Sequence, residues 1–125
     1  MLAVLFLTID DIPNAKLWNH WRQDDERIRF YVNAKCQQMQ VPTGFIRLPR
    51  DVEVRETAWA AHTCVLAHRS MLEYALSDFP LCEWFVLVSG DTIPLHQKDY
   101  IFDRLHTNTS IFDTFTDNNL DPSII

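Results

Sequence analysis

The chain has 125 residues, of which 47% are hydrophobic and 22% charged, enough to fold one domain (1–125) around a real core and unlike a disordered segment. A formal charge of −6, with eleven scattered basic residues, excludes a nucleic-acid platform, because phosphate neutralisation needs clustered Lys and Arg. Cys36, Cys64 and Cys82 are odd in number and form no CxxC pair, which argues against a disulfide framework or a zinc knuckle.

The apolar run Leu2 to Leu7 lacks a basic leader and is far shorter than the ~20 residues that span a bilayer. It reads as a strand covered on both faces, ending in Thr8-Ile9-Asp10-Asp11. Absent targeting signals and unpaired thiols predict a cytoplasmic-type setting.

Pro13 opens a helix through Leu17, Trp18 and Trp21, with Asn14 or Asp11 as its cap. A second strand runs from Ile28 to Val32 and ends at Asn33, and a short one follows at Gly44 to Arg47. The longest helical pattern covers Thr57 to Leu76. Its apolar stripe holds Ala58, Ala61, Cys64, Val65, Ala67, Met71, Leu72, Ala75 and Leu76, with His62, Arg69, Ser70 and Glu73 opposite. Trp59 and Leu66 fall off that stripe. Trp84 to Val88 reads as a buried strand closed by Ser89-Gly90-Asp91-Thr92-Ile93-Pro94, and Lys98 to His106 as a last helix. From Ile111 the periodicity is weak.

Strands alternating with helices predict an α/β fold, a mostly parallel sheet with helices on both faces. Ligands of such sheets bind beyond the carboxyl ends of the strands, where strand order reverses. Attention therefore falls on Thr8 to Asp11, Asn33 to Lys35 and Ser89 to Thr92.

The turn at Ser89-Gly90-Asp91 is the most informative, because one of only two glycines directly follows the strongest strand. Asp91 either offers a carboxylate to a ligand or bonds its own turn. No metal site is expected. Asp10 and Asp11 alternate between faces, Asp24 to Glu26 read as a solvated loop, and His62, Cys64 and His68 lack a zinc-ligand spacing. His68 reads as a core histidine. Walker, GxGxxG and GxSxG patterns are absent.

Taken in order, the motifs resemble the core-2/I-branching enzyme superfamily, which includes N-acetylglucosaminyltransferases, peptide O-xylosyltransferases and viral and bacterial relatives. The resemblance is carried by Leu2-Ala3-Val4-Leu5-Phe6-Leu7-Thr8, Arg29-Phe30-Tyr31-Val32-Asn33, Thr57-Ala58-Trp59-Ala60 and Phe85-Val86-Leu87-Val88-Ser89-Gly90-Asp91-Thr92-Ile93-Pro94-Leu95.

It implies a three-layer, Rossmann-like (GT-A-like) fold, here truncated, and inverting transfer of a sugar of N-acetylglucosamine or xylose type. The donor would be a nucleotide-sugar of the uridine diphosphate class, and the acceptor a hydroxyl of a glycan or glycoprotein. Positions implied on the nucleotide side are Thr8, Ile9, Asn33, Trp59, Ser89, Gly90 and Asp91. Thr8 and Asp91 would lie nearest the donor. Many members lack a DxD motif, as this chain does, so the resemblance implies metal-independent transfer and no cofactor.

Many relatives end the second strand in aspartate, where this chain has Asn33. The family's catalytic glutamate and diphosphate-binding basic residues follow the region that ends near Leu105. The chain is thus expected to be an amino-terminal portion or shortened form without turnover of its own, Asp91 being the one substitute base. The alternative is a catalytically inactive module that binds a nucleotide-sugar or a protein partner. Uncovered sheet edges would favour a homo-oligomer.

Overall fold

In the computed structural model, residues 1–56 and 62–105 are described. Four strands, β1 (Leu2–Thr8), β2 (Ile28–Ala34), β3 (Phe45–Arg47) and β4 (Trp84–Ser89), form one sheet in the order β3-β2-β1-β4. Every pairing is parallel, with Leu5 opposite both Tyr31 and Leu87. Three helices accompany it: α1 (Ala15–Arg22), α2 (His62–Asp78) and α3 (Lys98–Arg104).

Strand alternation divides the core in two. Leu2, Val4 and Phe6 of β1 pack with Ile28, Phe30 and Val32 of β2 on the side of α1 and α3. Ala3, Leu5 and Tyr31 point the other way, onto Met71 and Ala75 of α2. Both faces of β1 are therefore covered, which is why its run is uniformly apolar. Phe6 lies at the centre of an aromatic group, edge-on to Trp18 at 5.1 Å and to Phe30 at 5.7 Å between ring centroids. Burying a ring of that size stabilises by about 2–3 kcal/mol. The expected three-layer α/β architecture is the observed one.

Several local readings are corrected. β4 is not a buried strand but an edge strand: Val86 and Leu87 are 39% and 45% exposed. An apolar run looks the same in a central strand and in an edge strand flanked only on one side. On α2 only Ala67, Met71 and Ala75 are buried, while Val65 and Leu76 of the predicted stripe are exposed, because among the described residues the helix rests mainly on β1 and β2. Ala58 and Ala61 of that stripe lie outside the described residues.

The first helix starts at Ala15, with Asn14 at the cap position but without a capping side-chain bond. The Asp11 carboxylate accepts from the Ile12 N–H instead of capping the helix. Strand β2 extends one residue past Asn33, to Ala34. Gly44 has φ +88°, a left-handed conformation that favours glycine, and it packs against the side-chain ends of Asn19 and Arg22.

Candidate functional site

The order β3-β2-β1-β4 places the reversal of strand order between β1 and β4. Their carboxyl ends lie side by side, Leu7 opposite Ser89, and the ladder continues one step as the Gly90 N–H donates to the Leu7 carbonyl at 2.9 Å. Gly90 is buried against Thr8. A Cβ at position 90 would stand 2.5 Å from Thr8 Oγ1 and 2.9 Å from the Asp11 carbonyl. The Thr8 hydroxyl itself donates to that Asp11 carbonyl, tightening the bend after β1.

Around this contact the edge is polar and open. Ser89 and Asp91 are exposed, Thr8 is half-buried and Ile9 is 66% exposed. Ser89 Oγ donates to Asp91 Oδ1 at 2.8 Å and lies 3.0 Å from Thr92 Oγ1. The turn is closed by Thr92 N–H to the Ser89 carbonyl at 3.2 Å. Asp91 thus spends one oxygen on the turn and still presents its carboxylate at the edge.

Helix α1 fixes the chain that leaves β4. Asn14 Nδ2 donates to the Asp91 carbonyl at 3.0 Å, Trp18 Nε1 to Thr92 at 2.8 Å and Trp21 Nε1 to His96 at 2.6 Å. These three side chains act as rivets between α1 and residues 91–96. The sequence places Trp18 and Trp21 on this helix without indicating these partners. Their spacing at i and i+3 on one helix face was the available sign of a shared role, but not of its target.

Asn33 is fully buried. Its Nδ2 donates to the Val54 carbonyl at 2.8 Å and its Oδ1 accepts from the Val54 N–H at 2.9 Å. The side chain mimics a strand neighbour and anchors the segment after β3 to the edge of β2. Beside it the Glu53 carboxylate, 1% exposed, accepts from the Ala34 N–H at 3.1 Å and from Arg47 Nε at 3.0 Å and Nη2 at 2.9 Å. Arg55 Nε reaches the same carboxylate at 3.4 Å. Hydrogen bonding to Glu53 is the main cause that raises the Arg47 guanidinium above its ordinary pKa, with burial opposing. This cluster was not singled out in the sequence, since a charged strand end and two charged residues in the following loop resemble a solvated surface.

The structure therefore brings Thr8, Ile9, Ser89, Gly90 and Asp91 to one edge and sets Asn33 one strand away, inside. Trp59 lies outside the described residues. His68 is half-buried, and burial lowers its pKa. Among the described residues no three His, Cys, Asp or Glu side chains are grouped to hold a metal ion. No helix among them is long and apolar enough to cross a membrane.

The family model described as Core-2/I-Branching enzyme matches residues 2–122. The chain is also similar to Glycosyltransferase BC10 of Oryza sativa subsp. japonica, with 29% identity over 123 residues. That match covers 93% of the chain and 31% of the rice protein, so the chain spans about a third of that relative's length. No solved structure matches. The parallel sheet agrees with a GT-A-like fold. On the family match, the chain belongs to the core-2/I-branching enzyme family.

Proposed function

We propose that this chain forms the donor-binding portion of a glycosyltransferase and holds a uridine diphosphate sugar at the carboxyl ends of β1 and β4. The observation that carries this reading is the packing of Gly90 onto Thr8 at the reversal of strand order, which draws the carboxyl ends of β1 and β4 together beside the exposed Ser89 and Asp91. The overall reaction moves an N-acetylglucosamine or xylose type sugar to an acceptor hydroxyl with inversion. The hydroxyl oxygen bonds to the anomeric carbon as the bond to the diphosphate oxygen breaks, and the hydroxyl proton passes to a base. Thr8, Ile9, Ser89 and Gly90 line the donor, and Asp91 accepts from its hydroxyl groups. The acceptor is a glycan or glycoprotein, and transfer proceeds without a bound metal.

A second reading, a module that binds the donor or a protein without catalysis, is favoured by one observation: an Asp91 oxygen is already engaged by Ser89. Isothermal titration with uridine diphosphate N-acetylglucosamine and uridine diphosphate xylose tests the first reading. Saturable heat with at least one donor is expected. Silence with both supports a protein-interaction module. Release of uridine diphosphate in the presence of acceptor sugars would remove the non-catalytic reading.

A further inference from the structure

We infer that Arg55 contacts the nucleoside half of the donor, held in place by the buried carboxylate of Glu53; this rests on the donor site proposed above. In open parallel sheets the diphosphate sits at the strand-order reversal, and the nucleoside extends over the neighbouring strand ends, where a polar side chain meets the ribose or base. Here the reversal is at Thr8 and Gly90, so the nucleoside lies over β2 and β3. Adjacent strands are about 4.8 Å apart, which puts the end of β2 one short step from Thr8. Asn33 cannot meet the ligand, because both polar atoms of its amide are bonded to Val54. Lys35 follows the end of β2 beside Thr8, its N–H bonded to the Thr8 carbonyl at 3.1 Å, and Arg55 directly follows the Val54 clamp, with its guanidinium held by the buried Glu53 carboxylate.

Charge supports the assignment. Arg47 already neutralises Glu53 through two nitrogens, at 3.0 and 2.9 Å. Arg55 adds a second cation to the same carboxylate, so the three side chains carry one net positive charge in a chain of formal charge −6. Burying Glu53 does not require it. Arg55 keeps 26% of its side chain exposed, whereas Glu53 keeps 1%. A guanidinium offers donors in a planar fork suited to the carbonyl oxygens of a pyrimidine or to ribose hydroxyls.

The test compares wild type, Arg55→Ala and Arg55→Lys for binding of uridine monophosphate and uridine diphosphate, with inorganic pyrophosphate as competitor. Arg55→Ala is expected to weaken both nucleotides by the same factor, tenfold or more, and to leave the pyrophosphate inhibition constant within twofold. The Arg55 Nε–H resonance of the wild type is expected to move on addition of uridine monophosphate. Arg55→Lys retains an ion pair with Glu53 and should fold as wild type while losing most of the nucleotide affinity. A loss confined to uridine diphosphate and pyrophosphate would overturn the inference, as would nucleotide binding equal to wild type in Arg55→Ala. Wild type that binds neither nucleotide would overturn the donor reading itself, which distinguishes the two failures.

Discussion

Gly90 lies so close to Thr8 that a methyl group at position 90 would stand 2.6 Å from the threonine Cβ. The contact is between rigid atoms next to two backbones, so neither can turn aside. Gly90→Ala is expected to destabilise the fold by about 1–3 kcal/mol, the usual cost of overpacking, and to abolish donor binding. Urea unfolding and donor titration on the same variant check both. A variant with unchanged binding would show that the crevice lies elsewhere.

Asn33 replaces a missing strand neighbour for Val54. Asn33→Ala leaves the Val54 N–H and carbonyl without their partner and is expected to cost about 2–3 kcal/mol. Hydrogen exchange should accelerate at Val54 before it does so in the centre of β1. Equal acceleration in both would mean that the segment is not locally anchored.

Asp25 accepts from Arg27 at 2.7 Å and lies 3.1 Å from Lys98 Nζ, joining the start of α3 to the turn before β2. Hydrogen bonding to Arg27 is the main cause that holds its carboxyl well below the usual range, against a smaller effect of burial. A carboxyl lowered in the folded state contributes stability above its unfolded pKa of about 4 and loses it as pH falls through the folded value. The wild type should exceed Asp25→Asn by about 1–2 kcal/mol at neutral pH, a margin limited by the exposure of Arg27, and the gap should narrow below about pH 4. Thermal denaturation of the pair across that range reads the effect. A gap independent of pH would remove the ionic explanation.

Cys82 is 7% exposed, and burial pushes its thiol above the ordinary value. Its Sγ approaches the Trp84 carbonyl at 3.1 Å. Alkylation by iodoacetamide at neutral pH should therefore follow global unfolding, and its rate should rise with urea in proportion to the unfolded fraction. Rapid labelling in buffer would show that the amino edge of β4 opens separately.

The sheet was legible because β1 and β2 are central strands with largely apolar runs, and because Thr8 and Gly90 stand where the apolar runs of β1 and β4 stop. The burial of β4 was misread, since hydropathy records what a strand can bury and not what its neighbours cover. The α2 stripe was drawn too wide for the same reason. At the site, residue types at strand ends pointed to Thr8, Ser89, Gly90 and Asp91 correctly as neighbours. The inward turn of Asn33, the Glu53 cluster and the rivets from α1 were invisible, because each depends on a backbone partner 21 or more residues away or on a loop path that no local pattern encodes.

The central claim is that the ends of β1 and β4 form one donor site. Backbone amide shifts recorded during titration with uridine diphosphate test it most directly. The predicted result is that the largest changes fall on Thr8, Ile9, Ser89 and Gly90, with little change at Ile28 or Trp84 on the opposite edge. Saturable changes centred on that opposite edge, with Thr8 and Gly90 unmoved, would contradict it.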